Sequence, residues 1–240
     1  MVIAAASLGG WWVAGRGSGF EARLIAYVRG QARSGLVRVE VSGKAGSPGR
    51  PTSVPYAGDP SVFDYPGREK KLQIDRVMRL LGIGPGKTVA DIGAGGGWFT
   101  VRAARKVGPH GTVIAEEINP AALTYIDRRA AKAGLTNVQT VLGTPDDPKL
   151  GRASVDAVVM LKMYHEIAHP LVVMERVHEA LRPGAKVGII DRNGNGSGED
   201  HGVPQRTVEQ EMTQARFVEV GAYDFTKADG EDYFLVFQAR

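Results

Sequence analysis

The 240-residue chain predicts a doubly wound α/β fold, with a seven-stranded, mostly parallel sheet, helices on both faces and an antiparallel strand pair at the C-terminal end. Three observations carry this expectation. From residue 68 onward, short apolar runs alternate with stretches of helical period. Repeated strand–helix units imply parallel strands joined by right-handed crossovers. A glycine-rich turn follows the first strand run, and the last two runs follow each other with no helix between them.

Each element has its own signal. REKKLQIDRVMRLL, 68–81, places apolar residues near a period of 3.6 and predicts one helix, stopped by GIGPG. TVADI is a short buried strand, and WFTVRAARKV is the helix after it. TVIAEE, 112–117, is the second strand. PAALTYIDRRAAKAG has Pro120 at its start and Gly134 at its end, the asymmetry of a helix. NVQTVL and SVDAVVML, the latter 154–161, are the third and fourth strands. PLVVMERVHEALRPG reads as a helix ended by Pro183–Gly184, and AKVGIID, 185–191, as the fifth strand. PQRTVEQEMTQAR is a helix. FVEVGAYDF and DYFLVFQAR, joined by the loop TKADGE, form the hairpin.

The N-terminal quarter differs in kind. Residues 1–58 carry seven basic and two acidic residues, net +5, while the remaining 182 carry 23 basic and 24 acidic, net −1. MVIAAASLGGWWVA is too short for a membrane span of about 20 residues. No Lys or Arg precedes it, unlike a signal peptide. Residues 20–33 suit one short amphipathic helix, and the Gly/Pro/Ser-rich stretch after Ser42 reads as a linker. The expectation is a poorly ordered basic extension over 1–58 and a catalytic domain over 59–240. The balanced charge of that domain argues against a nucleic-acid partner. The chain is expected to be cytoplasmic, with export or membrane association through its apolar start as the alternative. It has no cysteine, which excludes disulfides, thiolate catalysis and sulfur-ligated zinc.

VADIGAGGGWFT, 89–100, is the stretch with chemistry in it. Gly93, Gly95, Gly96 and Gly97 carry no side chain, and Ala94 almost none. Glycine inside an ordered element costs conformational entropy, so such a run marks a place where something approaches the backbone. Ligands of doubly wound sheets bind at the carboxyl ends of the strands. A dinucleotide fingerprint needs a glycine at the sixth position from Gly93, and Trp98 stands there. A phosphate-binding P-loop needs Gly-Lys-Ser/Thr, also absent. What remains is D-x-G-x-G-x-G from Asp91, with a second acid, Glu117, ending the second strand.

This pattern resembles the class I S-adenosylmethionine-dependent methyltransferases, which have a Rossmann-like fold. VADIGAGGGWFT is similar to the family's first motif, VIAEEINP to its second-strand motif, VDAVVMLKMYHEI to its fourth and LRPGAKVGIID to the motif leading into its fifth strand. FDYPGREK, DDPKL and the Tyr-His pair together resemble a bacterial group of small methyltransferase-like proteins. The resemblance implies S-adenosylmethionine as cofactor and a role for each matching residue. Gly93, Ala94, Gly95 and Gly97 would admit the methionyl part and the sugar. Asp91 would favour the ammonium. Glu117 would accept both ribose hydroxyls, with Ile118 against the adenine and Asp146 or Asp147 near its exocyclic amine. Otherwise these two acids would cap a short helix. Since strand side chains alternate faces, Glu116 is expected to point away from the cleft.

The acceptor side is less specified. The Asn/Asp-Pro-Pro-Tyr/Phe of amine methylation is missing, and Lys162, Met163, Tyr164, His165 and Glu166 stand in its region. Lys162 lies where metal-dependent O-methyltransferases carry a carboxylate, so no metal is expected. Asp191, Glu199, Asp200 and His201 are read as polar loop rather than a site. His165 and Tyr164 are the catalytic candidates, His because it transfers protons near neutral pH; packing or capping is the competing role for His165. Residues 192–202 form a glycine-rich loop suited to a lid. His169 and His178 are expected to be structural. The implied reaction is in-line methyl transfer to a small-molecule acceptor. A protein or RNA acceptor, or a non-catalytic cofactor-binding module, are the alternatives.

Overall fold

A computed structural model describes residues 49–53, 58–195 and 200–240. The apolar N-terminal stretch, the helix expected over 20–33 and most of the expected linker lie outside the described residues. The chain divides into two units, 1–47 and 48–240, and all that follows concerns the second. Among the described residues, no helix is long and apolar enough to cross a membrane.

Seven strands form one sheet: β1 Thr88–Ile92, β2 Thr112–Glu117, β3 Val138–Leu142, β4 Val155–Leu161, β5 Leu181–Asp191, β6 Phe217–Tyr223 and β7 Tyr233–Ala239. Their order is β3-β2-β1-β4-β5-β7-β6. The first five run parallel, and β7 enters antiparallel between β5 and β6. The helices are α1 Arg68–Leu72, α2 Ile74–Leu80, α3 Trp98–Val107, α4 Pro120–Lys132, α5 Pro170–Ala180 and α6 Gln205–Gln214.

The central strands read as continuous apolar runs because both of their faces are covered. Val89, Val159 and Ile190 pack with Val77, Met78, Phe99 and Ala103 of α2 and α3. Their neighbours Ala90, Val158 and Ile189 pack with Val173, Met174, Val177, Val208 and Met212 of α5 and α6. Successive side chains point to opposite faces, so one apolar strand feeds two cores. Burying one large side chain such as Phe99 contributes roughly 1.5–3 kcal/mol.

Two boundaries differ from expectation. The helix expected over 68–81 is broken at Gln73, which takes a left-handed φ of 48° and donates from Nε2 to the carbonyl of Phe225 at 3.3 Å. The helix expected to run to Pro183 ends at Ala180. Leu181 is already extended and pairs with Val155, with a register shift before Ala157, so Pro183–Gly184 lies inside β5. Pro120 and Gly134 do flank α4, where Asn119 caps by accepting from Ala121 N at 2.9 Å and Gly134 has φ 68°.

Candidate active site

The parallel strands end on one side of the sheet, and a cleft of about 690 Å³ opens there. Its floor is the turn between β1 and α3. Gly93, Gly95 and Gly97 have φ of 65°, 53° and 70°, a region that side chains disfavour. A Cβ on Gly93 would sit 2.8 Å from Met163 Cγ, and one on Gly97 would sit 3.1 Å from Ile126 Cγ1. A Cβ on Gly95 would meet nothing within 4 Å, because that position faces the open cleft. The glycines thus serve two ends: close packing at 93 and 97, and a bare backbone facing the cleft at 95.

Three carboxylates surround this turn. Glu117, at the end of β2, accepts from Gly95 N at 3.0 Å, Ile118 N at 2.8 Å and Asn119 N at 3.1 Å. It ties the second strand to the glycine turn and lines the cleft. Asp91 is 2% exposed and accepts from Thr100 Oγ1 at 2.6 Å. Burial pushes its carboxyl up to about 7, against the opposing Thr100 bond and with the help of Glu117's charge. Glu116 is also buried, accepts from Gly93 N at 3.3 Å and is pushed by burial up to about 8. Glu116 was expected to face away from the cleft. Instead it also lines the cleft and packs against Gly143, where a Cβ would overlap its carboxylate.

Arg68 is the site residue that the sequence pattern did not single out. It is 5% exposed, lines the cleft, lies 4.2 Å over the Trp98 ring and donates from Nη1 to Phe63 O at 2.9 Å. Its buried Nε has no hydrogen-bond partner. It lies in FDYPGREK, where the resemblance gave no residue a role, and the fold carries it from α1 to the cleft.

Asp146 and Asp147 do not reach the cleft. Thr144 and Asp147 pair their backbones in a tight turn, which leaves Thr144, Pro145 and Pro148 on the cleft wall. Asp146 accepts from His169 Nδ1 at 2.8 Å, and Asp147 takes Lys149 at 2.7 Å. Neither caps a helix, since this segment is a turn. Ile118, 40% exposed, does line the cleft.

The catalytic candidates are also displaced. Tyr164 is fully buried in the core and donates to Glu211 Oε2 at 2.9 Å. His165 is 3% exposed, with Nδ1 at 2.8 and 2.9 Å from the two oxygens of Asp191. Neither side chain lines the cleft; Lys162, Met163, Glu166, Ile167 and Ala168 do. The turn of Tyr164–Glu166 is one 3-10 turn, so consecutive side chains diverge by a third of a circle. Arg50 clamps it from outside: Nε donates to Ile167 O at 2.8 Å, Nη2 donates to Tyr164 O, and the guanidinium lies 5.0 Å over the Tyr164 ring.

Residues 89–184 match the model of a methyltransferase domain. They run from β1 into β5 and contain the glycine turn, Glu117 and the Tyr164–Glu166 turn. Residues 89–184 thus carry a methyltransferase domain, and the chain is similar to S-adenosylmethionine-dependent methyltransferases. A solved methyltransferase of Aquifex aeolicus described as S-adenosylmethionine-dependent superposes on this methyltransferase fold with a TM-score of 0.66 at 23% identity, covering 75% of this chain and 98% of that one. An arsenite methyltransferase of Halobacterium salinarum is 28% identical over 168 residues, 68% of this chain and 43% of its own. A nocamycin O-methyltransferase of Saccharothrix syringae is 31% identical over 114 residues, 48% of this chain and 41% of its own. The chain thus spans under half the length of these two curated relatives.

Proposed function

We propose that this protein binds S-adenosylmethionine in the cleft and transfers its methyl group to a small, largely apolar acceptor. The observation that carries the reading is the bare Gly95 backbone facing open space, with Glu117 beside it and Asp91 beneath. The site fits the charge of this ligand. Its ammonium and sulfonium are cationic, and three carboxyl groups converge on the turn, so that a bound cation would draw the raised Asp91 and Glu116 toward their charged forms. Its carboxylate would meet the guanidinium of Arg68, which lines the cleft while its Nε faces Asp229 at 3.9 Å. The cleft volume is ordinary for a site holding a cofactor and a small partner.

The donor supplies a methyl group on a positively charged sulfur, a good leaving group. The chain's own residues position and enclose. Glu117 would hold the ribose edge and Asp91 the amino end, and Met163 covers Gly93. Holding an acceptor in line behind the methyl group replaces a bimolecular encounter by a positioned one. Pro60, Phe63, Pro148, Met163, Ile167 and Val173 make much of the remaining wall apolar, which limits water around that step. Glu166 is the carboxylate on the wall of the fourth-strand turn and is placed to take a proton from a hydroxyl or amine acceptor. Arsenite is disfavoured as acceptor, since As(III) is soft and the chain has no thiolate to hold it.

The test is transfer of labelled methyl by the full chain to a panel of apolar phenols, alcohols and amines, alongside bulk protein and RNA. Label in the small-molecule fraction is the expected outcome. Label in protein or RNA alone would move the acceptor class. Cofactor binding without turnover in any arm would favour a binding module.

A further inference from the structure

Beside the cleft lies a second constellation that methyl transfer does not require. We propose that His165, Glu166 and His201 bind a divalent first-row cation of the zinc type at the carboxyl ends of β4 and β5. One ligand atom of each lies within 4.8 Å of the others. His165 Nε2 is 3.9 Å from Glu166 Oε1, and the two imidazoles meet edge to face with centroids 5.7 Å apart. Donor atoms around a tetrahedral ion with bonds of about 2.0–2.1 Å stand about 3.3 Å apart. Closing the set therefore takes side-chain movements of about 1 Å at Glu166 and His201, both of them half-buried.

The second observation is the environment of His165. Asp191 is fully buried and accepts from the backbone amides of His165 at 3.1 Å and Arg192 at 2.9 Å. A carboxylate so placed is an acceptor, so the Nδ1 facing it carries the proton. That leaves the Nε2 lone pair directed at Glu166 and His201. A carboxylate fixing one imidazole nitrogen so that the other can ligate is the usual support of a metal-bound histidine. The nearby ammonium does not neutralise the group: Lys162 is turned to Glu231 at 2.6 Å and Asp229 at 3.7 Å. Two imidazoles and one carboxylate suit zinc or its neighbours better than calcium or magnesium, which prefer oxygen alone. Three protein ligands leave a position open, and Glu166 lines the cleft, so that position borders the acceptor space. The site stands whether or not methyl transfer is the reaction.

The test uses the full chain, untagged and stripped with chelator. Zn²⁺ is titrated by calorimetry and Co²⁺ by visible absorption. We expect one equivalent of each, with the d–d bands of four- or five-coordinate Co²⁺. His201→Asn and Glu166→Gln should each weaken uptake at least tenfold. Both variants should melt near the parent in chelator, because neither residue is core. His110→Asn, at an exposed histidine remote in sequence, should leave uptake unchanged. No saturable uptake by the parent, or equal uptake by His201→Asn and Glu166→Gln, would overturn the proposal. S-adenosylhomocysteine binding by His201→Asn, expected unchanged, separates this failure from failure of the cofactor reading.

Discussion

The two halves of the cleft are built in different ways. The half over β1 and β2 is held by contacts between neighbouring strand ends: Glu117 and Glu116 accept from the glycine turn, and Asp91 from Thr100 nine residues on. The half over β4 and β5 is held by contacts distant in sequence. Arg50 reaches Ile167, Tyr164 reaches Glu211, and His165 reaches Asp191. The first half is a backbone device, so it needs glycines and leaves a motif. The second is a side-chain network, whose members can change together without leaving a spacing.

If that contrast is right, the harshest single change is in the glycine turn. Gly93→Val puts a β-branched side chain at φ 65° and into Met163. Cofactor affinity should fall at least about a hundredfold, since strain and clash together exceed about 3 kcal/mol. Calorimetry with S-adenosylhomocysteine measures it; retention within tenfold would mean the turn is more plastic than its contacts imply.

Glu117→Ala comes next. It removes the acceptor for Gly95, Ile118 and Asn119 as well as the group proposed to face the ribose. A net loss of about 2 kcal/mol is about thirtyfold in affinity. The control is Glu116→Gln rather than alanine. Glu116, pushed up to about 8, is largely protonated at pH 7, so the amide is close to its isostere and keeps an acceptor for Gly93. It should bind within about threefold of the parent, whereas equal losses in both variants would erase the distinction between the two acids.

On the acceptor half, Arg50→Ala should act on turnover and spare affinity. The turn it clamps carries Met163 to Glu166 and meets the glycine turn through the packing of Met163 on Gly93, not through a hydrogen bond. A roughly tenfold loss in kcat with S-adenosylhomocysteine affinity unchanged is expected. A chain beginning at Pro48 should behave as the full protein, and one beginning at Asp59 as Arg50→Ala. Parallel losses of affinity would show that the halves are not independent.

The smallest effect concerns pH and stability. Asp91 and Glu116 are raised from 3.8 to about 7 and from 4.5 to about 8. Between the unfolded and folded values the folded chain holds protons that the unfolded chain has released. Their contribution is therefore full below about pH 4 and lost as pH rises to about 8. The ligand-free protein should lose more thermal stability from pH 5.5 to 8.5 than the Asp91→Asn, Glu116→Gln double variant. A difference of about 4 °C is expected in melting scans; equal slopes would mean that neither acid is held protonated.

The same contrast explains what could be read before the structure. The parallel sheet and its antiparallel end follow from alternating runs and from the hairpin without a helix, and Asp91, the glycines and Glu117 follow from spacing, whereas the place of β7 between β5 and β6 does not. Glu116 was misplaced because alternation assumes that a strand has one wet face, whereas the end of β2 meets a glycine turn that leaves room for both acids. Asp146 and Asp147 form a turn because Thr144 pairs with Asp147 across it. Tyr164 and His165 were the visible residues of their segment, yet a 3-10 turn sends them into the core and brings Glu166 to the wall. Arg50 had no local signal, since its partners lie far along the chain, and Arg68 stood in FDYPGREK without a role assigned to it.

The central claim is that the motif half of the cleft holds S-adenosylmethionine. Titration calorimetry of the full chain with S-adenosylhomocysteine and, separately, with NAD tests it most directly. The account predicts one saturable site for the sulfur compound, weakened about thirtyfold by Glu117→Ala, and no heat with NAD. Binding of NAD with no response to S-adenosylhomocysteine would contradict it.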